Sequence, residues 1–233
     1  MTDLHCHLLP GVDDGARDAS AAAALLAQAE RQGIRQIALT PHYHPQRIAP
    51  ETFLARRGAA FARLRQIAPD TPVTFRLGAE VFYSPELIRM DAAPLCIAGT
   101  RVMLLEFDTQ RIPYYAEETF DALLSRGVTP LIAHIERYAF LRADPGMLED
   151  WIEIGCLTQV NAGAVLSDRH GRRYVMRLIR DGLAHVMASD AHSPEHRSVN
   201  LRDGLAAVRR ALGADAADRL QQCASGIFSG SID

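Results

Sequence analysis

The chain alternates, seven times over, between a short apolar run with strand character and a longer amphipathic stretch with helix character. Strands are expected at residues 1–5, 36–40, 72–77, 101–105, 129–133, 157–160 and 183–188. Helices are expected at residues 18–32, 50–67, 114–126, 145–154, 172–181, 200–212 and 215–222, with Asp18 as a cap and Gly33, Gly127, Gly155 and Gly182 as stops. A helix between consecutive strands returns the chain to its starting end, so the sheet is parallel with helices outside. An open doubly wound sheet and a closed barrel both satisfy this pattern. No G-x-G-x-x-G follows the first strand, which removes the main mark of the open form.

The polar residues at the strand ends decide between the two. The first strand runs into His5-Cys6-His7, the second into His42, the third into Glu80, the fourth into Glu106, the fifth into His134 and the seventh into Asp190-Ala191-His192. Only a closed or nearly closed barrel brings all those carboxyl ends to one mouth. The expected fold is therefore α/β, a distorted (β/α)7 TIM-like barrel, formed as a single domain over residues 1–233.

Each of these residues has an ordinary explanation when taken alone. His42 reads as a loop histidine and His134 as a satisfied core histidine. Glu80 and Glu106 read as solvated strand ends, and Ser189-Asp190 as a helix cap. Together they are hard to produce by accident, since six of the seven strands end in His, Asp or Glu. Alternation puts His5 and His7 on one face and turns Cys6 away, so the pair forms half a coordination site. Mixed imidazole and carboxylate donors without thiolates suit Mn²⁺, Fe²⁺ or Zn²⁺ better than Ca²⁺ or Cu⁺. There are more donors than one ion uses. Two or three divalent ions sharing carboxylates are expected, and such clusters activate a bridging water for hydrolysis.

Composition excludes more than it suggests. All 25 basic residues are arginine, so a P-loop lysine, a Schiff base and a carbamylated-lysine metal bridge are out of reach. A net charge of −3 gives no general nucleic-acid footprint. No apolar run reaches membrane-spanning length, and the first residues lack the basic and apolar regions of a signal peptide. Cys6, Cys96, Cys156 and Cys223 are scattered, with no C-x-x-C pair and no C-x5-R phosphatase loop. A cytoplasmic protein without membrane insertion is the expectation.

The motifs Asp3-Leu4-His5-Cys6-His7, Asp13-Asp14-Gly15, Thr40-Pro41-His42, Gly78-Ala79-Glu80, Leu105-Glu106-Phe107, Ala133-His134-Ile135-Glu136-Arg137 and Ala188-Ser189-Asp190-Ala191-His192 span almost the whole chain. In them the chain resembles the polymerase-and-histidinol-phosphatase (PHP) superfamily. More narrowly, it is similar to the manganese-dependent protein-tyrosine phosphatases encoded with bacterial capsule and exopolysaccharide genes. The resemblance implies a trinuclear centre. His5, His7, Glu80 and Asp190 would hold one ion, Glu80 would bridge to a second held with Glu106 and His134, and Asp14, His42 and His192 would hold a third. It implies Mn²⁺ as the ion and Arg137 and Arg197 as phosphate-binding, catalytic residues, in keeping with the paired hydrogen bonds a guanidinium offers phosphate. The implied partner is the phosphotyrosine-bearing tail of a tyrosine kinase of polysaccharide synthesis. The chain departs from the family pattern at Ile135, often proline, at Cys223-Ala224, often an Asn-Pro-like pair, and at Tyr43, often a second histidine.

Three other readings compete. A PHP phosphatase could act on a small phosphomonoester such as histidinol phosphate or a nucleotide. An amidohydrolase also opens with His-x-His, but its binuclear members generally use the lysine this chain lacks. A metal-stabilised binding module would need no turnover, and would be expected to have lost ligands.

Overall fold

Every strand pairing is parallel, as helical returns require. The structure, a computed structural model, describes residues 1–231. Its strands are β1 (Thr2–Cys6), β2 (Gln36–Leu39), β3 (His42–Tyr43), β4 (Thr74–Leu77), β5 (Glu80–Phe82), β6 (Val102–Glu106), β7 (Thr129–Ile132), β8 (Leu157–Asn161) and β9 (Val186–Ala188). β2 with β3, and β4 with β5, each fill one strand position of the barrel. The lower pieces pair in the order β1-β2-β4 and the upper pieces join β3-β5-β6-β7-β8-β9. The second expected strand breaks at Pro41, which has no N–H to give the ladder, although its carbonyl still accepts Glu80 N–H at 3.1 Å. The fourth strand piece ends at Leu77, just before Gly78, where a β-carbon would press on Thr40 Cγ2 at 3.2 Å.

The sheet curls until its two edges meet at the carboxyl end. Asp190 N–H donates to the His5 carbonyl and His7 N–H to the Ala191 carbonyl, both at 2.9 Å. The lumen is apolar below that seam. Leu4, Ala38, Leu104, Leu131 and Val186 pack there against Ala224, Ile227 and Phe228 of the C-terminal helix α9 (Ala214–Ser229). This helix plugs the amino end of the barrel and runs well past the expected 215–222. Residues 224, 227 and 228 continue its apolar stripe, but they have a surface to bury only once the barrel exists.

The outer helices are α1 (Ala19–Arg31), α2 (Pro50–Ile67), α3 (Ala116–Leu124), α4 (Ala139–Ala143), α5 (Pro145–Ile154), α6 (Ala162–Leu166), α7 (Arg169–Arg180) and α8 (Leu201–Leu212). The Asp18 carboxylate caps α1 through Ala21 N–H at 2.8 Å. Other sequence expectations are corrected too, and the seventh strand, expected from 183, forms only over Val186–Ala188. α3 starts at Ala116 rather than 114, because Tyr115 takes a left-handed conformation with φ 60°. α7 starts at Arg169 rather than 172, since Asp168 caps it through His170 and Gly171 N–H at 2.9 and 2.8 Å. The single-turn helices α4 and α6 were not expected, being too short for any periodic signal. Among the described residues, no helix is long and apolar enough to cross a membrane.

Candidate metal centre

A break in strand alternation builds the first corner of the site. Along β1 the register with β2 slips between Asp3 and Cys6: Asp3 pairs with Ile37, but Cys6 pairs with Leu39. The extra residue is a bulge, which reverses the facing of the residues after it. Leu4 points into the lumen, and after the bulge His5 and His7 do too, while Cys6 packs into the outer core. His134 and Asp190 are likewise placed by backbone bends, with left-handed φ of 32° and 52°. Among the described residues, two of the three non-glycine positions with positive φ are thus candidate ligands, a cost that the surrounding fold sustains where side chains must be aimed.

The centre is Glu80, whose side chain is buried. Its Oε2 lies 3.2 Å from His5 Nε2, 3.1 Å from His7 Nε2 and 3.0 Å from His42 Nδ1. Its Oε1 lies 2.8 Å from His134 Nε2. Asp190 Oδ1 stands 3.3 Å from His5 Nε2, closing one group with His7. Glu106 stands 3.5 Å from His134 Nε2 and 3.4 Å from His42 Nδ1, closing a second group around Glu80. Asp14 Oδ1 lies 3.4 Å from His42 Nε2 and 3.6 Å from His192 Nε2, closing a third. All nine side chains singled out as metal ligands converge at the mouth.

Three of the histidines have their tautomer fixed from behind. His5 Nδ1 is 3.1 Å from Gln159 Oε1, an atom that also accepts His134 N–H at 2.9 Å. His7 Nδ1 donates to Asp13 Oδ2 at 2.7 Å, and His192 Nδ1 to the Asp190 carbonyl at 3.0 Å. Each therefore turns a bare Nε2 into the centre, the arrangement in which an outer partner orients a metal-binding imidazole. The Asp13-Asp14 pair separates here. Asp13 is folded inward onto His7 and accepts His42 N–H at 2.9 Å and Gly15 N–H at 3.0 Å, while Asp14 faces the mouth. Asp13→Asn keeps the shape and one acceptor oxygen, enough for the Gly15 or the His42 N–H group but not for both, and removes the charge behind His7. Isothermal titration of the metal-free protein is expected to show divalent-ion affinity lowered by about ten- to a hundredfold; unchanged affinity would mean Asp13 does not act through His7.

The charge balance fits bound cations. Burial alone would lower the imidazoles, but hydrogen bonds with Asp13 and Glu80 hold His7 up at about 9. Those with Glu106 and Glu80 hold His42 at about 11 and His134 at about 10 against the same burial. Glu106 is pulled down to about 2 by its histidines despite its burial. The carboxylates thus draw protons onto the imidazoles for want of other positive charge, a role divalent ions fill better. His192 goes the other way: burial, and then the charge on His7, lower it to about 4, leaving a neutral imidazole. Four inward atoms, Glu80 Oε2, Asp190 Oδ1, His42 Nδ1 and His192 Nε2, are buried and make no well-aligned hydrogen bond, although His42 Nδ1 and Glu80 Oε2 approach to 3.0 Å. Buried polar atoms are rarely left so, and these four lie among donors of the type that hold Mn²⁺, Fe²⁺ or Zn²⁺. The residues present fit the ions.

Above this floor opens a cavity of about 720 Å³, with Val12, Ile48, Phe53 and Phe82 as apolar wall and Arg47, Arg56, Arg137 and Arg197 as basic rim. Arg197 Nη2 donates to Asp190 Oδ2 at 2.6 Å, and Arg137 Nη1 is 3.8 Å from the same oxygen. Asn161 Nδ2 donates there too, at 2.7 Å, which leaves Asp190 Oδ1 free for the centre. Tyr43, where the family often has a second histidine, is buried against Phe53, and the neighbouring His44 lines the cavity beside Phe82. Arg47, Arg56, Gln159 and Asn161 were missed from sequence. Gln159 and Asn161 had one signal, being two apart at the end of a lumen-facing strand; the arginines had none.

The fold and this mouth define a class: a PHP-type barrel with a histidine–carboxylate centre at the carboxyl ends of its strands, the architecture of metal-dependent hydrolases. Within that class, the chain belongs to the CpsB/CapC family of capsular polysaccharide synthesis, whose model matches residues 1–226. It is 32% identical over 220 residues to the tyrosine-protein phosphatase YwqE of Bacillus subtilis, covering 92% of this chain and 86% of the relative. It is 30% identical over 236 residues to the tyrosine-protein phosphatase CpsB of Streptococcus pneumoniae, covering 94% of each. One of the solved structures of YwqE from B. subtilis and CpsB from S. pneumoniae, "unique metal-dependent tyrosine phosphatases", superposes with a TM-score of 0.89 at 30% identity, covering 99% of this chain and 95% of that one. The resemblance and the barrel read from the motifs are borne out.

Proposed function

We propose that this chain is a metal-dependent protein-tyrosine phosphatase hydrolysing phosphotyrosine monoesters. The observation that carries the proposal is one cavity combining a floor of unpartnered imidazole and carboxylate atoms, a basic rim and an apolar wall suited to a phenyl ring. In this reading His5, His7, Glu80 and Asp190 hold one ion; Glu80, Glu106 and His134 a second; Asp14, His42 and His192 a third. Mn²⁺ is the ion proposed, and Fe²⁺ or Zn²⁺ would suit the same donors. Bound there, the ions supply Lewis-acid charge that makes water acidic and neutralises phosphoryl oxygens.

The chain's own residues do the rest. Arg137 and Arg197 bind the phosphoryl oxygens through N–H groups not committed to Asp190, and stabilise the charge that redistributes as the P–O bond to the ring breaks. Phe53, Phe82 and Val12 take the ring and limit water around it. A tyrosine phenolate, with pKa about 10, leaves with less help from an acid than an alkoxide needs. His192 is a ligand in this scheme and not a proton donor, its Nδ1–H being committed to the Asp190 carbonyl and its Nε2 turned to the centre. The substrate proposed is the phosphotyrosine-bearing tail of a bacterial tyrosine kinase of capsule or exopolysaccharide synthesis, and the place proposed for this chain is the cytoplasm. Support comes from the family's role in capsular polysaccharide synthesis and from the relatives' names.

The test is phosphate release from a phosphotyrosyl peptide, histidinol phosphate and a nucleotide, by protein loaded in turn with each ion and checked by elemental analysis. Fastest turnover of the peptide is expected. Preference for a small ester would move the substrate, and ion binding without turnover of any phosphoester would make the chain a binding module.

A further inference from the structure

The arginines outside the catalytic mouth are unevenly placed. Helix α7 carries Arg169, Arg172, Arg173, Arg177 and Arg180 with His170, and no acidic residue between Asp168 and Asp181, in a chain of net charge −3. All five arginines are exposed, and among the described residues none pairs with a carboxylate. Arg169, Arg173, Arg177 and Arg180 fall on one side at helical spacing. The Asp168 carboxylate at the head of the row is engaged by the first N–H groups of the helix.

The row approaches the mouth by way of Tyr174 and Arg142. A second cavity, of about 500 Å³, is lined by Arg137, Arg142, Gly171, Val175 and the buried Glu136, so α7 forms part of its wall through Gly171 and Val175 while its arginines stand outside it. Arg137 belongs to this cavity and to the catalytic one alike. Arg142 spans the gap, its guanidinium 4.3 Å from the Tyr174 ring on α7 while Arg177 lies 5.5 Å from the same ring. Two Arg142 nitrogens, Nε and Nη2, hold the Glu136 carbonyl at 3.2 and 3.1 Å, which fixes the side chain in place.

We infer that the groove from Arg137 past Arg142 and along α7 is a docking track for an acidic peptide segment lying beside the phosphotyrosine of the substrate. This deepens the phosphatase reading and rests on it. The occupant is argued from charge complementarity and from continuity with the mouth: a segment leaving the catalytic cavity over Arg137 passes Arg142 and, across the Tyr174 ring, meets Arg177 and the unpaired arginines of α7. Arginine suits carboxylate and phosphate equally, by paired N–H donation. A membrane surface fits less well. An interfacial helix needs an exposed apolar face, whereas Val175, Met176, Leu178 and Ile179 of α7 are all buried in the core.

The experiment uses the whole metal-loaded protein and the variant Arg173→Glu/Arg177→Glu, neither residue touching the metal centre. Three substrates are compared: free phosphotyrosine, a phosphotyrosyl peptide flanked by serines and one flanked by glutamates. The wild type should prefer the glutamate peptide, and the variant should lose about tenfold in kcat/KM on it through KM, with the preference erased at high salt. Free phosphotyrosine should be turned over equally by both proteins. Equal loss on all three substrates, or no preference in the wild type, overturns the track. If the wild type hydrolyses no phosphotyrosyl compound, the phosphatase reading fails on its own. The track is then judged by fluorescence anisotropy of the labelled, unphosphorylated glutamate peptide: binding that the variant loses upholds it, and absence of binding overturns it. Charge-dependent binding of the wild type to phosphatidylglycerol vesicles, with peptide binding the same in both proteins, overturns it in favour of a membrane.

Discussion

Glu80→Ala is expected to abolish turnover of phosphotyrosyl peptide, by more than about a hundredfold, and to lower the bound metal measured by elemental analysis. The size follows from position. Losing a residue that merely orients a ligand costs about ten- to a hundredfold in affinity or activity. Glu80 reaches four histidines at once, His5, His7, His42 and His134, at between 2.8 and 3.2 Å. In the proposed scheme its carboxylate is shared by two of the three ligand groups, so its loss would open both together. Burial would lift its carboxyl, but the charge and hydrogen bonds of its histidines hold it well below the ordinary range, so it is anionic and ready to bind cations across the neutral range. A matched loss should follow chelation of the wild type and be reversed by added Mn²⁺. A Glu80→Ala protein that keeps full activity and full metal content would remove the centre from the mechanism.

Gly15→Ala should damage the same site from outside it. A β-carbon at Gly15 would lie 2.3 Å from the His7 carbonyl oxygen and 2.4 Å from His7 Cβ. Neither can retreat freely. The His7 carbonyl accepts Ala16 N–H at 2.9 Å, and His7 N–H holds the barrel seam through Ala191. The clash therefore moves either His7 or the loop bearing Asp13 and Asp14. Overpacking of this kind costs about 1–3 kcal/mol, which for a chain of this size is roughly 2–12 °C in Tm. The loss in kcat should exceed what that destabilisation explains, about a hundredfold, since misplacement by an ångström is enough. Circular dichroism melts beside phosphate-release assays measure both, and an unchanged Tm with unchanged kcat would contradict the close packing.

Much of this molecule could be read from its residues, and the reasons are local. α2 (Pro50–Ile67) and α5 (Pro145–Ile154) begin and end where their prolines, periodicity and, for α5, Gly155 indicate. The donors were legible because a parallel barrel gathers strand ends, so a histidine or carboxylate after an apolar run is placed by topology alone. The residues that were not legible lack a local cause. Arg47 and Arg56 reach the catalytic cavity, and Arg142 its neighbour, from segments distant in the chain. α9 outran its expected end because its last apolar residues answer to a lumen built by other strands.

By itself the sequence determined the parallel α/β layout, the donor chemistry at the strand ends and, by the absence of lysine, the chemistry that is out of reach. Only the tertiary structure decided how those donors face one another. Simple alternation would not bring Leu4 and His5 both into the lumen; the β1 bulge does, and it exists because β1 must pair with β2 on one side and close on Ala191 on the other. The adjacent Asp13 and Asp14 are chemically identical in sequence, and they differ because one meets His7 Nδ1 while the other meets the open mouth. A residue's chemistry is carried in its side chain, but its direction comes from backbone contacts made far along the chain.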